Sequence, residues 1–125
     1  MIGLILFLVS SILKWVIAPF AYVYGIIKSL VKKEFNHYNY DLAIAKDQYG
    51  NALCKYLFND VLITSTGYKF GDINETISSC VGKNKLKGTL TSAGKTLDWI
   101  LNKVQPNHSI LSINNNDNSA TDKNA

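Results

Sequence analysis

From Met1 to Val31 only Lys14 and Lys28 carry a charged side chain. Ile2 to Leu13 is almost purely apolar, Lys14 interrupts, and Trp15 to Ile27 is apolar again. Neither half alone reaches the ~18–20 residues that a spanning helix requires. Together, residues 2–27 predict one helix of about 39 Å, ample for a tilted span if the Lys14 ammonium snorkels or faces a partner. Pro19 is expected to kink that helix. Trp15, Tyr22 and Tyr24 suit the aromatic belt at a membrane surface. On a helical wheel Ser11, Lys14, Ala18, Ala21, Gly25, Lys28 and Lys32 form one stripe. Its small residues suit close approach of a second helix, either another membrane protein or a second copy. The same lysine-bearing stripe also suits a helix lying in the interface plane. A cleaved signal peptide fits less well, because no charged side chain precedes the apolar run and Ala18 and Ala21 sit among bulky aromatics.

Lys28, Lys32 and Lys33 follow the apolar run. By the positive-inside rule they predict an inner-membrane protein with its C-terminal domain in the cytoplasm. All thirteen basic residues are Lys, and the net charge is +4. Without arginine there is no planar fork to clamp phosphate or read guanine. The charge is therefore read as attraction to membrane lipid rather than to nucleic acid. Cys54 and Cys80 form no CxxC pattern, and with two histidines in the chain they imply no metal and no cofactor. They are expected to be two buried thiols in a reducing compartment rather than a disulfide.

The expected organisation is an anchor over 1–35, a small helical domain over 36–113 and a disordered Asn-rich tail over 114–125. Asn36 to Asn39 reads as a polar hinge. Leu42, Ala45, Tyr49, Ala52, Leu53, Tyr56 and Leu57 recur at helical spacing and predict a helix over roughly 40–58, with Gly50-Asn51 as a local conflict. Asp72 to Glu75 has the form of a capping box opening a helix over about 73–81, with Ile77, Cys80 and Val81 on one side and Gly82 as its stop. Lys83, Asn84, Lys85 and Lys87 then read as a basic loop. Thr91 or Ser92 caps a last helix to about Val104, with Leu97, Ile100, Leu101 and Val104 as its apolar face, Trp99 beside it, and Pro106 beyond. The fold class is mainly α: a kinked N-terminal membrane helix followed by a three-helix domain.

The polar residues that stand out are Asp47, Gln48 and Asn51 on one helix face, then Glu75, Thr76 and Ser78, and finally His108. They could form a site, or they could cap helices and tie turns. No GxSxG, HExxH or phosphate loop is present, so no catalytic residue is assigned. The order Asp47-Gln48, Asn51, Phe70-Gly71, Asp72, Glu75-Thr76-Ile77-Ser78, Gly82-Lys83-Asn84, Gly88 and His108-Ser109 resembles a group of small uncharacterised proteins of tailed bacteriophages and prophages. The resemblance covers roughly residues 40–110. It departs at Asn74, where the group tends to have Asp. It implies a phage origin and marks the polar residues, but supplies no mechanism. The leading expectation is a non-enzymatic accessory protein at the host inner membrane, a lysis accessory or a superinfection block. The alternatives are a tethered enzyme acting on nucleotide, nucleic acid or lipid headgroup, with His108 and Glu75 as acid and base, and a basic nucleic-acid-binding module.

Overall fold

The computed structural model describes residues 1–113, and the expected disordered tail lies outside them. The fold is mainly α. Its helices are α1 (Ile2–Val31), α2 (Phe35–Leu53), α3 (Lys55–Val61), α4 (Ile77–Lys87), α5 (Ser92–Val104) and a short α6 over 108–113. The chain divides into two compact units at Leu42 and Ala43, inside α2.

In the first unit, α1 runs unbroken through Pro19 and is long and apolar enough to cross a membrane, with none of its most apolar stretch buried. It ends in a Schellman motif. The Glu34 N–H donates to Ser29 O, the Lys33 N–H donates to Leu30 O, and Lys33 takes a left-handed φ of 60°. The chain therefore reverses at Lys32–Glu34. The expected hinge at Asn36–Asn39 is instead the first turn of α2. These residues stay helical because Asn39 is held from both sides: its Nδ2 donates to Phe35 O, and its Oδ1 accepts from the Tyr22 hydroxyl at 2.8 Å. The Tyr38 ring stacks on Tyr22 and lies against Gly25, filling the space a β-carbon would need there. At Gly25 the small-residue stripe thus receives a helix of its own chain.

The second unit is built around Leu62, Ile63, Phe70, Cys80, Val81 and Leu90, with Phe58, Tyr68, Ile77, Leu97 and Leu101 packed against them. Cys80 and Val81 lie inside and Ile77 packs on the core, as the helical spacing predicts. Three other expectations fail. The expected 40–58 helix breaks at Cys54, and its apolar face is mostly outside: Tyr49, Leu53, Tyr56 and Leu57 are exposed while Asn51 is fully buried. The helix expected from 73 starts at Ile77. Thr76 is its N-cap, accepting from the Ser79 N–H, and Asp72 makes a local turn with Asn74 and Glu75 instead. Finally, Gly82 does not stop α4. The helix continues to Lys87 and ends at Gly88, which is left-handed with φ 71°.

The expected basic loop is therefore the second half of α4. Asn84 is fully buried, Lys83 pairs with Glu75 and Lys85 pairs with Asp98, while Lys87 Nζ reaches Thr66 O. Thr91 caps α5 as expected. An isolated antiparallel bridge, Ile63 to Leu90, ties the end of α3 to the entry of α5. Both cysteines are free; Cys80 is buried but Cys54 is only half-buried, against the expectation of two buried thiols.

Candidate functional site

The segment 64–76 carries no helix of its own, so its backbone groups must find partners elsewhere or lose free energy on burial. Three asparagines supply them, because a carboxamide donates and accepts at once. Asn51 Nδ2 donates to the carbonyls of Asp72 and Glu75, and its Oδ1 accepts from the Gly71 N–H at 3.0 Å. Asn59 exchanges two bonds with the backbone of Phe70. Asn84 Oδ1 accepts from the Tyr68 N–H and the Thr89 hydroxyl, while its Nδ2 donates to the carbonyls of Tyr68 and Cys80. Gln48 adds a weaker bond from Nε2 to Asn74 O at 3.3 Å.

The remaining polar residues gather at the N-terminus of α4. Asp47 Oδ1 accepts from the Ile77 N–H at 2.8 Å and Oδ2 from the Ser78 hydroxyl at 3.0 Å, placing a carboxylate where the helix dipole favours one. On its other side Ser78 Oγ lies 3.2 Å from His108 Nε2, and His108 Nδ1 lies 2.8 Å from Gln105 Oε1. A serine hydroxyl has one proton. Given to Asp47, it leaves Oγ as an acceptor toward His108. In a nucleophilic triad the imidazole stands between serine and carboxylate. Here the serine stands between the other two, and Ser78 is only 3 % exposed. The arrangement ties α2, α4 and the start of α6 together and leaves Oγ no open side for a substrate.

Glu75 belongs to a second cluster. Its Oε1 accepts from the Ser79 hydroxyl and pairs with Lys83 Nζ, each at 2.8 Å, and its Oε2 accepts from the Tyr68 hydroxyl at 2.7 Å. Lys83 also lies over the Tyr68 ring, 4.6 Å from its centroid. Burial works against the charged carboxylate, but hydrogen bonds from Lys83, Tyr68 and Ser79 outweigh it and hold the carboxyl below its usual value. Burial likewise works against the Lys83 ammonium, yet Glu75 raises its pKa, while burial and then Glu75 raise that of Tyr68. Among the described residues Glu75 and His108 share no hydrogen-bond partner, and a carboxylate held ionised is a poor proton donor at neutral pH. Burial pushes the Cys80 thiol up to about 12, which makes it inert as a nucleophile.

The pH dependence follows from these directions. Glu75 has a lower pKa folded than unfolded. Its contribution is therefore present at neutral pH and is lost as the pH falls from the ordinary value of 4.5 through the lower folded one. The raised pKa values of Lys83 and Tyr68 give stability that is complete below their ordinary values and is lost as the pH rises through the folded ones. Urea midpoints should thus fall on the acid side of pH 4.5. Glu75→Gln should flatten that limb, and an acid limb identical in the variant would remove Glu75 as its cause.

Of the seven polar residues singled out from the sequence, all lie in these networks. Asn59, Asn84, Asp98 and Ser109 join them without having been assigned such a role. Ser109 is fully buried and donates to Asp98 Oδ1 at 2.7 Å, while Asp98 Oδ2 pairs with Lys85. Asn84 stands between Lys83 and Lys85 in a stretch that reads as basic, so no local signal marks it. Among the described residues no group of His, Cys, Asp and Glu is arranged to hold a metal ion. Comparison of the chain with protein-family models, curated proteins and solved structures found no match.

Proposed function

We propose that the protein is a membrane-anchored, non-enzymatic accessory protein of phage or prophage origin, acting at the host inner membrane in lysis or in superinfection exclusion. The observation that carries the non-enzymatic part is the inward use of the polar residues: Asn51, Asn84, Ser78 and Glu75 are all buried and bonded to their own domain. The domain is then a rigid body for docking rather than a reaction vessel. The phage assignment rests on the resemblance of residues 40–110.

The anchor is α1. Its thirty residues amount to about 45 Å, against a hydrocarbon core of ~30 Å. A span over the first two-thirds leaves the last turns, where Tyr38 and Asn39 pack against Tyr22 and Gly25, at or beyond headgroup level. Lys28, Lys32 and Lys33 then lie on the cytoplasmic side.

Carbonate washing of membranes from cells expressing the tagged chain should leave the protein in the pellet, with its C-terminus protected from periplasmic protease. Extraction by carbonate would reduce α1 to an interfacial helix, and periplasmic cleavage would invert the topology. Expression in a host should also shift lysis timing or lower plating of a superinfecting phage. Unchanged lysis and unchanged plating would overturn the accessory role.

A further inference from the structure

The periodicity of α5 assigns Ile100 and Val104 to the core, yet both are outside. Trp99 is 60 % exposed, Ile100 49 % and Val104 81 %. The helix is turned by two contacts. Gly94 lies so close to Leu62 O that a β-carbon would overlap it, and Asp98 is drawn inward by Ser109 and Lys85. Gly94 and Asp98 therefore face the core with Leu97 and Leu101 beside them, Trp99 and Ile100 are turned away from it, and Val104 projects from the helix end next to Leu97. Lys95, Trp99 and Lys103 follow one another at four-residue spacing on one exposed stripe, with Ile100 beside it and Lys103 Nζ 5.1 Å from the centroid of the Trp99 ring. The helix's one carboxylate, Asp98, is buried and neutralised by Lys85.

We propose that this face of α5 docks onto an anionic lipid surface, a step that rests on the reading of α1 as a membrane anchor. An exposed helix face with an indole, an isoleucine beside it, two ammonium groups and no acid complements a headgroup layer carrying negative phosphates above acyl chains. A two-fold pairing with a second copy is disfavoured by the same charges, because an isologous contact apposes two copies of one face that carries Lys95 and Lys103 and no acid. Anchoring by α1 keeps this face at high effective concentration near lipid, so a weak interaction suffices.

Trp99 reports the contact once Trp15→Phe makes it the sole indole. The full chain carrying that substitution is reconstituted into vesicles of phosphatidylcholine alone or enriched in phosphatidylglycerol, with flotation as a check of anchoring. The expected result is a blue-shifted Trp99 emission, protected from acrylamide, in the anionic vesicles only. Lys95→Gln with Lys103→Gln should lower the docked-to-undocked ratio roughly thirtyfold, taking each lysine at its usual worth near such a surface. Protein that floats while Trp99 stays equally quenchable in both vesicles overturns the docking and leaves the anchor intact. Protection that is equal in both vesicles and grows with protein density assigns the face to a second copy and likewise overturns it. Failure to float removes the anchor and the docking together.

Discussion

Asn84→Ala is expected to destabilise the domain from Ala43 onward by about 3 kcal/mol, since buried groups left without partners cost ~1–3 kcal/mol apiece. The substitution strips partners from the Tyr68 N–H and carbonyl and leaves the Thr89 hydroxyl only its longer bond to the backbone carbonyl of residue 84, at a site with no solvent access. Asn51→Ala should cost about as much, because it removes the side-chain partner of the Gly71 N–H and of the Glu75 carbonyl in the same way. Asn59→Ala should cost about 1 kcal/mol, because Asn59 is only half-buried and water can replace it at Phe70. For a domain of this size 3 kcal/mol corresponds to roughly 15 °C in Tm. The readout must separate this domain from α1, so amide hydrogen exchange over 64–90 is the measurement. Equal, small losses at all three positions would mean that the asparagines do not hold this segment.

Gly82→Ala should be nearly as damaging, although alanine is the better helix former by ~1 kcal/mol. A β-carbon at Gly82 would overlap the carbonyl oxygen of Ser109, lie 2.8 Å from its carbonyl carbon and 2.9 Å from Ile113 Cδ1. The obstacle is largely backbone, so α6 must move and the Ser109–Asp98 bond is pulled with it. Overpacking of this kind costs about 1–3 kcal/mol, and losing the buried bond adds about 1 more, so the net sign is destabilising. Gly88→Ala is the control. It meets open space but keeps a left-handed φ of 71°, so its cost should be about 1 kcal/mol of backbone strain with α6 undisturbed. Exchange over 105–113 distinguishes the two, since only Gly82→Ala should accelerate it. If Gly82→Ala were as stable as the parent, the close packing of α4 on α6 would be wrong.

The helical class was legible in the sequence because local signals are strong: the apolar run of α1, Thr91 before α5, and Ile77, Cys80 and Val81 at helical spacing. The polar residues of interest were legible as clusters of polar types. Asn51 shares a polar helix face with Asp47 and Gln48, and Thr76 and Ser78 follow the expected capping segment. Their roles were not legible. A carboxamide that satisfies a loop twenty or more residues away leaves no local mark, and Asn51 to Glu75 spans such a distance.

Apolar periodicity in the sequence says that a helix has a face. It does not say what that face meets. The chain by itself determined a mainly helical protein with a long apolar helix over its first residues, through hydrophobicity and capping that act over a few residues. Only the tertiary structure decided which side of each later helix turned inward. Segment 64–76 brought unpaired backbone groups into a small domain, and satisfying them with Asn51, Asn59 and Asn84 outweighed burying Leu53 and Leu57, while the Gly94 and Asp98 contacts turned Ile100 outward.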